Sequence, residues 1–203
     1  MTGIQGVRWL EVRLEGQAAH AGTTPLSYRR DPLAAAADAI HGLQELLMPG
    51  DSQARFTVGR MEIRPGSVNA IPELATFSVD LRHPEQARLD DLEAKVRTMT
   101  SEAAERQGCS ARIDRTLDMA PCRFPDAMVE ALEAAASRAG FPARRLMSGA
   151  YHDALFLAAA APTAMLFVPC RNGLSHNEAE FTEPADIAAG AQVLYEAVRD
   201  LAG

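Results

Sequence analysis

The chain has 203 residues, enough for one large or two small domains, and its hydrophobic content of 47% is ordinary for a globular protein. Its formal net charge of −7 at pH 7 argues against nucleic acid or an anionic membrane as the main partner, and no apolar run approaches the roughly 18 residues needed to span a bilayer. Three cysteines without a CxxC pair predict a reduced protein of the cytoplasm.

The first half of the chain predicts a regular succession of strands and helices. Alternating apolar and polar residues mark strands with one solvated face, and apolar residues spaced three and four apart mark helices. Strand patterns cover residues 10–15, 56–63, 77–82 and 111–113, and helical patterns cover residues 33–47 and 89–103. The order strand, helix, strand, strand, helix, strand predicts a ferredoxin-like βαββαβ domain over about residues 7–118.

Residues 119–203 have a different pattern, which predicts part of a layered α/β domain. Helices are predicted from about Pro125 to Gly140 and over most of residues 146–161. The continuous apolar run Met165–Val168 is typical of a parallel strand that is covered on both faces. A sheet with so few strands cannot bury both of its faces with its own elements.

A final helix is predicted to close the chain. It begins at Pro184, a residue suited to the first helical turn, and Thr182 is the predicted N-cap. The buried stripe predicted for this helix consists of Ile187, Ala191, Leu194, Val198 and Leu201. Together with the ferredoxin-like domain, these elements predict an α/β fold class.

Two histidines lie in tight loops beside predicted strands. His20 follows the first strand, and Gly22 allows a close backbone approach. It is either a hydrogen-bond donor to a carbonyl oxygen on which charge develops, or a capped turn residue. His176 follows the apolar run, with Glu178 and Glu180 close behind. It is either a metal ligand or a surface histidine in a polar loop.

Asn69 and Arg82 flank the third predicted strand. Arg82 shares the polar face of that strand with Asp80. Its guanidinium is able to grip a substrate carboxylate in fork geometry, with Asn69 adding a neutral donor. The alternative is that Arg82 pairs with Asp80.

A third histidine follows a short turn of small residues. His152 is either a substrate-facing residue or the start of a helix with Asp153 in its first turn. Ser148 and Ser175 lack the pattern of a nucleophile elbow, so serine hydrolase chemistry is not predicted.

Taken together, these segments identify a protein family far more specifically than any one of them does. They resemble, in order and over nearly all of the chain, the metal-dependent amidohydrolases of the M20 peptidase superfamily. Within that superfamily they look like the subgroup of N-carbamoyl-L-amino acid hydrolases, β-ureidopropionase and allantoate amidohydrolase. The matching motifs are Gly16–Pro25, Val68–Pro72, Asp80–Pro84, Ser148–Ala154 and Phe167–Glu180.

The resemblance implies a division of the chain into two domains. Residues 7–118 would be a lid through which a homodimer forms, and residues 119–203 would be the C-terminal segment of an α/β/α zinc-hydrolase catalytic domain. The implied reaction is hydrolysis of a linear carbamoyl or ureido C–N bond in a small carboxylate-bearing substrate. Two divalent metals per site (zinc, manganese, cobalt or nickel) would activate the water.

The resemblance also implies roles for individual residues. His176 would ligate a metal, and His20 would stabilise the oxyanion in the partner subunit's site. Asn69 and Arg82 would hold the substrate carboxylate. The substrate pocket would be lined by Gly149, Ala150 and His152.

The chain departs from the family at single residues, which include Tyr151, Leu26 and Glu178, and in the part of the family's sequence that it covers. Tyr151 stands where a small residue is common, which would narrow the pocket or change the substrate that fits. The family's other metal ligands and its general base lie upstream of the lid. We therefore expect this chain to be inactive unless further polypeptide completes it. Two alternatives stay open, a non-catalytic dimerisation module and the product of a truncated or split gene.

Overall fold

The computed structural model describes residues 1–202 and divides the chain into two compact units. One unit is Gly6–Pro121, and we call it the large-sheet unit. The other combines Met1–Gln5 with the residues from Cys122 onward, and we call it the small-sheet unit. The first five residues thus belong with the C-terminal part of the chain.

Residues 1–202 contain ten strands and five α-helices. The strands are β1 (Gly3–Ile4), β2 (Gly6–Glu15), β3 (Ala19–His20), β4 (Arg55–Thr57), β5 (Met61–Arg64), β6 (Ala70–Ile71), β7 (Leu74–His83), β8 (Ser110–Met119), β9 (Cys122–Arg123) and β10 (Met147–Ser148). The helices are α1 (Pro32–Leu47), α2 (Gln86–Arg106), α3 (Asp126–Arg138), α4 (Ala154–Ala158) and α5 (Pro184–Leu201). Single 3₁₀ turns span Leu26–Tyr28 and Arg171–Gly173.

The large-sheet unit has the ferredoxin-like fold that the sequence predicts. Its antiparallel sheet has the order β4-β7-β2-β8, and β5 also pairs with β7. Helices α1 and α2 pack on each other and on the sheet. Because side chains alternate along a strand, the apolar residues of β2 and β7 enter the core and their polar neighbours face away from it. The core strand residues include Leu10, Val12, Leu14, Phe77, Val79 and Leu81.

The small-sheet unit has a much smaller core. Strand β1 pairs with β10 in parallel and with β9 in antiparallel orientation. Helices α3 and α5 pack on each other through Ala135, Ala136, Val193 and Ala197. None of the helices within residues 1–202 is long and apolar enough to cross a membrane.

Three predictions for the small-sheet unit were wrong. Met165–Val168 is not a strand, because no strand of the described chain pairs with it, and its side chains are partly exposed. Of residues 146–161, only Ala154–Ala158 is α-helical. Helix α5 does begin at Pro184, but its N-cap is Glu183, which makes no side-chain capping hydrogen bond. The apolar run Met165–Val168 lacks the neighbouring strand that would pair with it among the described residues.

The predicted buried stripe of α5 was also wrong. Its four large residues are 51–55% exposed: Ile187, Leu194, Val198 and Leu201. The buried residues of the helix are instead Val193 and Ala197, which face α3. The large apolar side chains of the predicted stripe are therefore about half exposed.

Candidate functional site

The structure brings two predicted site residues of the large-sheet unit together. His20 lies in β3, which pairs antiparallel with β6, and the residue opposite it is Ala70. Asn69 directly precedes β6, and its main-chain carbonyl accepts a hydrogen bond of 3.0 Å from the Ala21 N–H. The Ser67 hydroxyl donates to Asn69 Oδ1 at 2.8 Å, which orients the side-chain amide. His20 and Asn69 thus form one small, exposed group.

Two backbone N–H groups fix the proton position on the His20 ring. The amides of Gly22 and Thr23 donate to His20 Nδ1 at 3.1 Å and 3.2 Å. A ring nitrogen that accepts hydrogen bonds carries no proton, so the neutral imidazole holds its proton on Nε2. His20 therefore presents an N–H donor at Nε2. The contacts to Nδ1 are those of the predicted turn residue, and the role of Nε2 as a donor to a charged carbonyl oxygen stays a prediction.

The loop that follows His20 is held in shape by Arg29. The Arg29 guanidinium donates to the carbonyl oxygens of Ala21 at 2.7 Å and Thr24 at 3.0 Å. At the base of the loop, Gly16 passes so close to Arg30 that a Cβ on Gly16 would lie 2.2 Å from the Arg30 carbonyl oxygen. A larger residue at position 16 would open the loop and displace the His20 segment.

Arg82 is paired with Asp80, as one of its two sequence interpretations predicts. Arg82 Nε lies 2.9 Å from Oδ1 of Asp80, and Nη2 lies 2.7 Å from Oδ2. The indole N–H of Trp9 donates to the same carboxylate at 3.0 Å. The hydrogen bonds that Arg82 donates to Asp80 raise the pKa of Arg82, so the guanidinium stays charged. Asp80 thereby fixes the direction of the guanidinium plane.

Arg82 does not lie beside His20 and Asn69. Asn69 precedes the Leu74 end of β7, whereas Arg82 is next to the last residue of that strand and opposite Val7. Arg82 is eight residues after Leu74, a span of roughly 26 Å at the usual rise of an antiparallel strand. One chain therefore holds these two groups at opposite ends of its sheet.

Sequence reasoning did not identify a cavity on the solvent face of the large sheet. It has a volume of about 520 Å³ and is lined by residues that include Trp9, Glu11, Arg60, Ser78 and Asp80. Its position could have been suspected from a tryptophan on the otherwise polar face of β2. Asp80 belongs both to this cavity and to the Arg82 pair.

In the small-sheet unit, His152 is held by two contacts. Its Nε2 lies 2.7 Å from Ser148 Oγ, and its ring stands edge-on to Phe167 with the centroids 5.4 Å apart. Gly149 and Ala150 form the turn between β10 and His152, and the Ala150 N–H donates to Ser148 Oγ at 3.1 Å. The structure thus brings together three predicted site residues, Gly149, Ala150 and His152.

Tyr151 lies in the same turn as His152. Its ring packs edge-on against Phe156 at a centroid distance of 5.9 Å, and it is partly exposed. The edge-on contact occupies part of the surface where a small residue would leave open space. That Tyr151 narrows a substrate pocket or changes which substrate fits stays a prediction.

His176 lies in an exposed loop with an unusual backbone conformation. Its φ of 57° is in the left-handed region, as is that of Asn172 at 58°. Such conformations cost about 1 kcal/mol or more for residues with a Cβ and are concentrated at functional sites. The main-chain N–H of His176 donates to Glu180 Oε2 at 3.0 Å, which helps to hold the loop.

The residues present do not fit a complete metal centre. Within residues 1–202, no three His, Cys, Asp or Glu side chains converge on a common point. A zinc site takes three or four protein ligands. His176 alone could provide one ligand to a site that other residues complete.

The sequence is similar to a known family over nearly its whole length. The profile described as Peptidase family M20/M25/M40 matches residues 12–200. The N-carbamoyl-L-amino-acid amidohydrolase of Rhizobium meliloti is 39% identical over 202 residues, which is 100% of this chain and 49% of the relative. The allantoate amidohydrolase of Bacillus subtilis (strain 168) is 34% identical over 205 residues, again 100% and 49%. The chain spans about half the length of the curated relatives it matches.

Solved structures show the same similarity. The hydantoinase/carbamoylase family amidase from Burkholderia vietnamiensis has a TM-score of 0.91 at 42% identity, covering 97% of this chain and 48% of the other. The aminopeptidase PepT from Bacillus cereus has a TM-score of 0.80 at 21% identity, covering 100% and 54%. The second comparison shows a shared fold alone.

Proposed function

We propose that this chain, which belongs to peptidase family M20/M25/M40, takes part in the hydrolysis of a linear carbon–nitrogen bond. The bond is of the carbamoyl or ureido type, and the substrate is a small carboxylate such as an N-carbamoyl-L-amino acid. The names of the relatives, N-carbamoyl-L-amino-acid and allantoate amidohydrolases, support the type of bond. The remaining support comes from the geometry of the chain's own residues.

The observation that carries the proposal is the proton position on His20. Because Gly22 and Thr23 donate to Nδ1, Nε2 is a fixed N–H donor in an exposed loop. Hydrolysis of a carbamoyl or amide group places negative charge on the carbonyl oxygen in the transition state. A preorganised donor at that oxygen contributes about 10²–10³ in rate. His20 supplies this donor without any rearrangement of its ring.

The carboxylate of the substrate is assigned to Arg82 and Asn69. Arg82 carries a permanent charge and is oriented by Asp80, and Asn69 adds an amide beside His20. Arg82 lies roughly 26 Å along β7 from Leu74, at the end of the strand that Asn69 precedes, so we infer that a small substrate does not contact both residues within one chain. The proposed site therefore uses two copies of the chain, with His20 and Asn69 from one and Arg82 from the other.

Exposed apolar side chains around His20 support such a homodimer. Leu26 and Tyr28 follow the His20 loop, and Val68 precedes Asn69; all three are among the most exposed large side chains of the protein. Large apolar side chains are costly to leave in water and are common in contacts between subunits. A second copy docked here would cover them and would bring His20 close to the partner's substrate.

His152 and His176 are assigned to the other side of the substrate. His152, with Gly149 and Ala150, would line the pocket, and His176 would contribute one metal ligand. Because residues 1–202 do not fit a metal centre by themselves, no metal step is assigned to this chain. Activation of the attacking water is left to polypeptide beyond these residues.

The proposal is tested by complementation. The full chain is co-expressed with the region of the Rhizobium meliloti relative that it does not align with, and release of amino acid from an N-carbamoyl-L-amino acid is measured with added zinc, manganese, cobalt or nickel. We expect turnover of the substrate, and we expect His20→Ala to lower its rate by a factor of about 10²–10³. The relative itself, divided at the equivalent position, is the positive control. Turnover by the divided relative but none with this chain would contradict the proposal.

A second candidate function is a non-catalytic dimerisation module. It is favoured by the exposed Leu26, Tyr28 and Val68 together with the incomplete set of metal ligands. Sedimentation of the full chain separates the two functions when it is combined with the complementation assay. A stable dimer that remains inactive in every complementation favours the module.

A further inference from the structure

The sequence places Ser148 at the start of the Ser148–Ala154 motif without giving it a role, and the structure gives it specific contacts. Ser148 is the last residue of β10 and is only 4% exposed. Its hydroxyl oxygen lies 2.7 Å from His152 Nε2 and accepts a hydrogen bond of 3.1 Å from the Ala150 N–H. The main chain holds the residue in place as well, because the Ser148 carbonyl accepts from the Gln5 N–H at 2.8 Å.

These contacts decide which atom donates between Ser148 and His152. A serine hydroxyl has one proton to donate and two lone pairs that accept. The Ala150 N–H occupies one lone pair. If His152 Nε2 donated to the other, the buried hydroxyl proton would need a different acceptor, and none lies within hydrogen-bond distance among the described residues. A buried donor without an acceptor is unfavourable. The hydroxyl therefore donates to Nε2, and neutral His152 carries its proton on Nδ1.

The ring is also fixed against rotation. Phe167 meets the His152 ring at an interplanar angle of 75°, with the centroids 5.4 Å apart. This contact and the Ser148 hydrogen bond hold different parts of the ring. Together they set both the direction of Nδ1 and its state as a donor.

We propose that Ser148 is a positioning residue that holds His152 as an Nδ1–H donor toward an oxygen of the substrate. The substrate half of this inference rests on the proposed function, whereas the tautomer does not. An Nδ1–H selects a substrate that offers an acceptor, such as a carboxylate or ureido oxygen, and disfavours one that offers an N–H at the same point. Ser148 does not act as a nucleophile here, because its hydroxyl is buried and already committed to His152.

Nuclear magnetic resonance on the full chain tests the tautomer directly. Long-range proton–nitrogen spectra of histidine-labelled protein are recorded near pH 8, where imidazoles are neutral, and the signals of His152 are assigned by their loss in His152→Gln. We expect a protonated Nδ1 and an unprotonated Nε2. Ser148→Ala should shift His152 toward the Nε2–H form that free imidazoles prefer in water. Ser148→Thr, which keeps the hydroxyl, should retain the Nδ1–H form.

Two results would overturn the inference: an Nε2–H tautomer in the unmodified chain, or an unchanged Nδ1–H tautomer in Ser148→Ala. The first result needs no variant, so the test stands even if Ser148→Ala fails to fold.

In the complementation assay, Ser148→Ala should lower kcat/KM about tenfold and Ser148→Thr by no more than about twofold. Absence of turnover with every variant would contradict the proposed function while leaving the tautomer result intact.

Discussion

Asn69 and Arg82 lie near opposite ends of β7. Asn69 precedes the Leu74 end, and Arg82 lies one residue before the other end, so roughly 26 Å of extended strand lies between Leu74 and Arg82. A small carboxylate substrate spans only a fraction of that distance. If both residues bind the same substrate, they must come from two copies of the chain.

Mixed dimers test this arrangement. In the complementation assay, Asn69→Ala and Arg82→Ala should each lower kcat/KM by about tenfold or more, because each removes a hydrogen-bond donor to a charged group. When the two variants are mixed and allowed to exchange subunits, about one quarter of the wild-type sites should reappear by random pairing in a symmetric dimer. The double variant mixed with itself is the control. No recovery on mixing would place both residues in the same site of one chain.

A methyl group added at Gly22 should disturb catalysis more than stability. A Cβ at position 22 would lie 3.3 Å from Cε1 of His20, a tight contact that the ring can relieve only by moving. A small misplacement of a catalytic donor is costly in rate, so Gly22→Ala should lower kcat about tenfold. Gly50→Ala is the matched control, since a Cβ there meets no atom within 4 Å. Equal activity of the two variants would argue against a role for the His20 ring position.

Glu93 lies at the centre of a buried group of charges in the large-sheet unit. Its side chain is 5% exposed and contacts Arg8 at 2.9 Å, Arg97 at 2.7 Å and Arg115 at 2.7 Å. Burial by itself raises the pKa of Glu93, but the hydrogen bonds from Arg97 and Arg115 outweigh it and the pKa is lowered. The carboxylate is therefore more stable in the folded than in the unfolded chain.

Glu93→Gln should destabilise the large-sheet unit by about 3 kcal/mol at pH 7, because it removes the buried carboxylate that pairs with the buried Arg8 and with the partly exposed Arg97 and Arg115. Asp91→Asn is the matched control on the same helix; Asp91 is 41% exposed, and this change should cost less than about 1 kcal/mol. Since the folded pKa of Glu93 is lowered, its contribution is complete above the unfolded value of about 4.3 and is lost as the pH falls through the folded pKa. Urea unfolding at several pH values measures both effects. Equal stability of the two variants at neutral pH would contradict the structure.

The sequence predicted the large-sheet unit well because each element there faces a core that the unit itself provides. In β2, for example, Leu10, Val12 and Leu14 are buried and Glu11 and Arg13 are not. The same logic failed for α5, where Leu194 has the spacing of a buried residue and is 51% exposed. A periodic pattern shows that a face is apolar, but it does not show what covers that face.

The candidate site was predictable only where its contacts are local. The pairing of Arg82 with Asp80 follows from their shared strand face, two residues apart. The pairing of β3 with β6, which brings His20 to Asn69, involves two residues on each strand and leaves no periodic signal. The direction of the Ser148–His152 hydrogen bond depends on the Ala150 N–H, which no pattern of side chains encodes.

Adjacent residues of α5 should respond very differently to the same substitution. Leu194 is exposed, so Leu194→Asp should change the free energy of unfolding by no more than about 0.5 kcal/mol and should reduce aggregation and binding of a hydrophobic dye. Val193 is 3% exposed against α3, so Val193→Asp buries an unpaired charge and should unfold the small-sheet unit. Circular dichroism and dye fluorescence measure both. A severe loss of structure in Leu194→Asp would mean that the original stripe prediction was correct.

The full chain by itself should bind zinc only weakly and release no amino acid from N-carbamoyl substrates. His176 is exposed, and within residues 1–202 no group of three potential ligands converges around it or elsewhere. One imidazole provides too few bonds to compete with water and buffer for a divalent ion, since protein zinc sites use three or four ligands.

Calorimetric titration measures the zinc affinity of the chain. His176→Ala should abolish the weak zinc binding that remains without changing stability, because the His176 side chain lies at the surface. His41→Ala, at an exposed position on α1, is the matched control and should leave zinc binding unchanged. Tight, stoichiometric zinc accompanied by turnover in the purified chain would show that ligands from these residues do converge in solution.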